Sequence, residues 1–200
     1  ALTGWLPLSE VHSPVFGRLL ASSGFAVGGG APAEDQDTSV ALSRAAEELA
    51  ARLSCDTIEL RGGTAPADWR TRRDSHCGFV APLASDDEQQ LLAIPRKQRA
   101  EVRKGLANDL TVHVGTSAAD RAAHYAIYAE SVRNLGTPVF PRALFEAVLD
   151  TLDADVLTVR HAGQPVASVL TLYHAGAALP YWGGGTAAGR ALAADYIKNR

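Results

Sequence analysis

The chain has 200 residues and a formal net charge of −3, with 46% hydrophobic and 20% charged residues. That balance is the one expected of a globular protein with a real core, as one domain or two small ones. It excludes a generally basic nucleic-acid binder, and no run approaches the ~18–20 apolar residues that a membrane span needs. No signal-peptide pattern opens the chain, so it is read as cytoplasmic; the absence of Met with Ala1 in first place reads as a piece of a longer protein.

Taken in chain order, TGWLPLSEV (3–11) has the mixed apolar character of a strand. A glycine-rich turn follows at Gly28, Gly29 and Gly30. Asp37 or Thr38 then caps a helix whose apolar positions Leu42, Ala45, Ala46, Leu49 and Leu53 recur at helical spacing. TIELR (57–61) alternates as a strand, and HCGFVAPL (76–83) is a second candidate. A polar helix is expected from about 86 to 107, bent or interrupted at Pro95.

The second half reads more sharply. LTVHV (110–114) alternates as a strand, and Ser117 with Asp120 has the form of a capping box. That box opens a helix to about Asn134, ended by Gly136, and Pro141 starts another that ends near Leu152. Three short strands, 156–161, 166–173 and 178–182, are joined by the turn-like AGQP and HAGA, which predicts an antiparallel meander. Gly183, Gly184, Gly185 and Thr186 come next as a turn, then a helix from about Ala188 to Lys198. FAVGGG (25–30) and PYWGGG (180–185) each lead from a strand to a helix, an echo that reads as an internal duplication.

Neither cysteine, Cys55 nor Cys77, sits in a CxxC pair, and the histidines form no HxxxH pair, so no metal site is expected. Charge is concentrated in one place. Arg96, Lys97, Arg99, Arg103 and Lys104 stand against the single acid Glu101, so any anion contact would be local. On a helical wheel Arg96, Arg99 and Arg103 lie together, with Lys97 and Lys104 about 100° away.

The order strand, helix, helix, three meander strands, glycine turn, helix over 109–200 resembles the first two-thirds of a GNAT acyltransferase domain. The blocks PLSEVHSPVFGRLLASSGF, IPRKQRAEVRKG, YAESVRNLGTPVFPRALFEAVL and LPYWGGGTAAGRALAADY are similar to FemAB-like proteins. The likeness is greatest to those associated with exosortase and PEP-CTERM exopolysaccharide systems, and NLGTPVFP (134–141) is its most specific part. The resemblance implies a GNAT-like, largely antiparallel α/β sheet flanked by helices, in two tandem, incomplete units. Residues 1–88 would be a partial first unit, 89–108 a basic connecting helix, and 109–200 most of a second; a second copy of the chain could complete the sheets.

It further implies acyl or aminoacyl transfer to an amine of a cell-envelope or exopolysaccharide precursor, with acyl-CoA or aminoacyl-tRNA as co-substrate and no tightly bound cofactor. Gly183, Gly184, Gly185, Thr186 and Arg190 would hold the donor, on the physics of phosphate at a helix N-terminus. This chain lacks the Arg-x-x-Gly-x-Gly order of CoA-binding GNAT enzymes. Lys97, Arg99, Arg103, Lys104, Asn134, Thr137 and Tyr181 would contact the substrate. Glu130, His174 and Asp195 are chemically able to serve as a base, and no residue is singled out. The competing reading is a non-catalytic, degenerate GNAT module that binds a polyanionic partner through the 96–104 helix. The glycine run at 28–30 precedes Glu34, Asp35 and Asp37, which would repel a pyrophosphate, so it is expected to be structural.

Overall fold

The computed structural model describes residues 1–15, 17–24, 28–72, 74 and 77–197, with the side chains of 196 and 197 left out. The chain divides into two compact units, Ala1–Val80 and Ala81–Arg200. The fold is mixed α/β, with largely antiparallel sheets flanked by helices, as expected.

In the first unit, strands β1 (Leu8–Ser13) and β2 (Gly17–Ser22) form an antiparallel hairpin, and β2 pairs in parallel with β3 (Thr57–Glu59). Helix α1 (Gln36–Leu53) supplies the crossover that a parallel pair requires. Strand β1 begins later than its sequence predicts. Pro7 has no N–H to give a ladder, so Gly4 makes only an isolated bridge to Ala33 and regular pairing starts at Leu8. The cap of α1 is Asp35 rather than Asp37 or Thr38. Its backbone is extended and its Oδ1 accepts from Thr38 N–H at 2.7 Å, while Asp37 falls in the first turn. Residues 25–27 of the FAVGGG reading, and His76, lie outside the described residues. The candidate strand over 77–83 is not one. Gly78 and Pro82 are poor ladder residues, no described strand pairs with it, and Phe79, Val80 and Leu83 stand exposed.

The second unit begins with α2 (Asp87–Ala93) and α3 (Arg96–Leu106), separated at Pro95 as the sequence predicts. Then come β4 (Leu110–Gly115), α4 (Ala118–Asn134), α5 (Arg142–Thr151), β5 (Ala154–His161), β6 (Gln164–His174) and β7 (Ala177–Gly185). The four strands form an antiparallel meander in the order β4-β5-β6-β7. Each face of this sheet has its own core. Tyr128, Val132, Phe145, Val148 and Leu149 of α4 and α5 pack on Val156 and Leu170, with Trp182 against them. Val102 of α3 and Ala194 pack on Val159, Val166 and Ala167 on the other side.

Two differences concern the end of the chain. The triple glycine is not a turn: Gly183, Gly184 and Gly185 continue β7 and pair with Val169, Ser168 and Ala167. The helix after it is two short pieces, α6 (Ala187–Ala191) and α7 (Ala194–Ile197). Asn108 Nδ2 donates to Leu192 O at 2.8 Å, Ala193 takes φ +56°, and both Ala193 and Ala194 are buried. Lys198 lies outside the described residues. No helix among the described residues is long and apolar enough to cross a membrane.

Candidate functional site

Helix α4 builds the site. Its start is fixed by the capping box. Ser117 N–H donates to Asp120 Oδ2 at 3.0 Å, Asp120 N–H donates back to Ser117 Oγ at 3.3 Å, and the Ser117 hydroxyl donates to the same carboxylate at 2.7 Å. The Ser117 hydroxyl above all, with its N–H and the neighbouring His113, holds the buried Asp120 carboxyl below its ordinary value of 3.8 despite desolvation. One turn on, the buried His124 meets Ser168 of β6, Nδ1 to Oγ at 2.9 Å, which sets the rotation of α4 on the sheet.

The other end of α4 closes with Gly136 in the left-handed conformation, φ +73°. Gly136 N–H donates to Arg133 O at 3.0 Å and Thr137 N–H to Val132 O at 2.9 Å, a Schellman closure. The chain then runs back along the helix through Pro138, Val139 and Phe140. Tyr125 OH donates to Phe140 O at 3.1 Å, and Arg142 stacks over the Tyr125 ring at 4.9 Å. Between helix and returning loop lies an open groove of about 680 Å³, lined by Ala126, Ala129, Glu130, Arg133, Gly136, Thr137, Pro138 and Val139.

Glu130 ties this groove to the end of β7. Its Oε1 accepts from Ala187 N–H, the first residue of α6, at 3.2 Å. Thr186 caps the same helix, its Oγ1 accepting from Gly189 N–H at 3.0 Å, so both of these end donors are satisfied within the protein. Arg190 turns back to donate from Nη1 to Gly185 O at 2.8 Å. Gly184 lies under α4: a Cβ there would come 2.6 Å from Ser131 Cβ. A Cβ on Gly185 would meet the Asp195 carboxylate, while Gly183 is exposed on the outermost strand of the sheet.

Tyr181 is the extra residue of a β-bulge, since Leu170 pairs with Trp182 and Thr171 with Pro180. Its ring packs edge-on to Trp182 at 4.8 Å, and Trp182 in turn meets Phe145 at 5.4 Å. Thr137 lines the groove and Asn134 is exposed at the end of α4 beside it.

The basic helix is a separate surface. Val102 and Gly105 face the core, and Arg96, Lys97, Arg103 and Lys104 stand exposed on the opposite side. None of those four has an ion pair with a described residue. Arg99 departs from the group: its guanidinium donates to Leu92 O at 2.8 Å and to Ile94 O at 2.9 and 3.1 Å, closing the end of α2. Among the predicted site residues, Thr137 and Asn134 thus sit by the groove, Gly183–Arg190 adjoin it through Glu130, and the α3 cations form their own patch. Reading by residue type passes over Arg133, whose signal is its position three residues after Glu130 on one helical face.

Residues 95–196, just over half of the chain, match the family described as acetyltransferase (GNAT) domain. The chain belongs to this GNAT acetyltransferase family. No curated protein matches it at a significant level. The match begins at Pro95, just before α3, and takes in the meander, the groove and the β7–α6 junction. GNAT domains are acyl-transfer domains that typically use acetyl-CoA as co-substrate. Glu130 lines the groove and accepts from Ala187 N–H, so its carboxylate touches both parts of the candidate site.

Proposed function

We propose that this chain is an N-acyltransferase that moves an acyl group from acyl-CoA to an amine seated in the groove of α4. On the FemAB-like blocks of its sequence, the acceptor is a cell-envelope or exopolysaccharide precursor in the cytoplasm, and aminoacyl-tRNA is the alternative donor. The single observation that carries the reading is Glu130: it lines the groove and meets the backbone at the end of β7. A thioester laid along the open edge of β7, by Gly183–Thr186, finds strand N–H and C=O groups for the amides of its arm. Arg190 sits beside it, and Asn134, Thr137 and Tyr181 flank the acceptor.

In this reading Glu130 takes the proton as the amine nitrogen attacks the thioester carbonyl; the C–N bond forms, the C–S bond breaks, and the thiolate leaves as free thiol by taking up a proton from Glu130 through solvent, which restores the carboxylate. Phosphate and the Glu130 carboxylate would compete for Ala187 N–H, so neutralising Glu130 removes turnover without weakening the donor. Glu130→Gln is expected to lower thiol release from acetyl-CoA in an amine screen about 100-fold, with donor affinity kept or improved. Unchanged turnover in that variant would sink the assignment.

A second reading rests on α3. Four exposed cations with no ion pair among the described residues form a surface for a polyanionic partner. Charge reversal at Arg103 and Lys104 should weaken binding to tRNA or an anionic polysaccharide. It should also flatten the salt dependence of that binding, by about one unit of slope for each phosphate no longer neutralised. Equal binding by wild type and variant would remove α3 from the function.

A further inference from the structure

The groove carries one charged group besides Glu130, and that group has no partner among the described residues. Arg133 lies three residues after Glu130, so the two side chains rise from one face of α4, about 5–6 Å apart at Cβ. They do not pair with each other. Glu130 turns inward to Ala187 N–H, and the Arg133 guanidinium makes no hydrogen bond or ion pair with any described residue. The other arginines of α4, α5, α6 and the meander strands are engaged. Arg121 reaches Asp150 at 2.7 Å and Thr116 O at 2.9 Å, Arg142 covers Tyr125, Arg160 donates to Gly163 O and Arg190 to Gly185 O. Arg133 is exposed and Glu130 half-buried, so the cation lies nearer the solvent end of the groove. Between and around them the walls are apolar: Ala126, Ala129, Pro138 and Val139.

From this we infer that the acceptor is an anionic amine: a primary amine carrying a carboxylate or phosphate a short apolar spacer away, the amine at Glu130 and the anion at Arg133. The inference rests on the transferase reading of the same groove and narrows it. A guanidinium fork matches either anion with two parallel hydrogen bonds, and charge-assisted bonds of this kind are the stronger ones. The opposite charges at the two ends also fix direction, since a reversed acceptor would set its anion against Glu130 and its ammonium against Arg133. An arginine in the last turn also favours its own helix by the dipole alone, a role that Lys fills equally and that has no bearing on which amine is chosen.

The test uses paired amines that differ only in the anion, with acetyl-CoA as donor. β-Alanine is compared with β-alaninamide, and 2-aminoethyl phosphate with 2-aminoethanol; the two pairs separate carboxylate from phosphate. The expected result is a kcat/KM ratio favouring the anionic member by about tenfold or more in at least one pair. That ratio falls towards one in Arg133→Gln and is partly kept in Arg133→Lys. A ratio that Arg133→Gln leaves unchanged overturns the inference. If no amine is turned over, the same pairs are titrated by heat and by backbone amide shifts. Preferential binding of the anionic member, lost in Arg133→Gln, upholds the acceptor class although the transferase reading has failed. Equal binding of both members, or binding that Arg133→Gln does not alter, overturns it.

Discussion

The chain contains two runs of three glycines that are identical in sequence and unlike in structure. At 28–30 the run lies outside any strand, several residues before α1. At 183–185 it is the end of strand β7, two residues before α6. In the first run glycine is required by backbone: Gly30 has φ +116°, and a Cβ there would run into the carbonyl oxygen of Gly62. In the second it is required by a helix: α4 crosses β7 so closely that Ser131 occupies the space of a Gly184 side chain. Glycine thus serves a loop against a loop in one unit and a helix against a strand in the other. Only the second brings a candidate catalytic carboxylate, Glu130, onto the neighbouring backbone.

The sharpest way to break this comparison is Gly30→Ala. It meets backbone that cannot move aside and takes a residue with a Cβ to positive φ, so a loss on the order of 3–5 kcal/mol is expected in the first unit. Denaturant unfolding checks it. A loss smaller than that of Gly184→Ala would mean that Gly30 does not pack against the backbone of Gly62.

Gly184→Ala should cost about 1–3 kcal/mol by overpacking α4 against β7. Because the clash is with Ser131 Cβ, Ser131→Gly in the same chain should recover part of the loss, with a coupling of about 1 kcal/mol or more in a double-mutant cycle. Additive effects would show that α4 and β7 do not touch at this point.

The smallest effect is in acid. The Asp120 carboxyl is held below its ordinary value of 3.8, chiefly by the Ser117 hydroxyl. A group depressed by folding binds its proton more readily in the unfolded chain. Its stabilisation is therefore full above pH 3.8 and is lost as pH falls below that through the folded value. Asp120→Asn should flatten the pH dependence of the second unit below about pH 3.8. At neutral pH it should cost about 1 kcal/mol through the weakened capping box. A profile as steep in the variant as in the wild type would place the acid sensitivity elsewhere.

Much of the second unit is legible because its signals are local. Ser117 and Asp120 need only each other to cap α4, Gly136 only the last turn it closes, and Pro95 only the two helices it separates. The alternation of LTVHV and of the meander strands reports a sheet face whichever residues cover it. Where sequence and structure differ, the deciding partner is distant in sequence. The segment 77–83 has apolar residues but no strand edge to pair with among the described residues. The triple glycine at 183 reads as a turn until β6 is there to extend the ladder, and α6 ends where Asn108, 84 positions away, donates to Leu192 O.

The site divides in the same way. By itself the sequence determined the cationic face of α3, the caps of α4 and the Pro-set loop after it, because charge, capping and backbone restriction act within a few residues. Only the tertiary structure decided that Arg99 is spent on the carbonyls of α2, that Glu130 meets Ala187, and that Arg133 lines a groove without a partner among the described residues. Each of these is a question of which polar groups satisfy one another, and that is answered only when elements far apart in the chain are packed together.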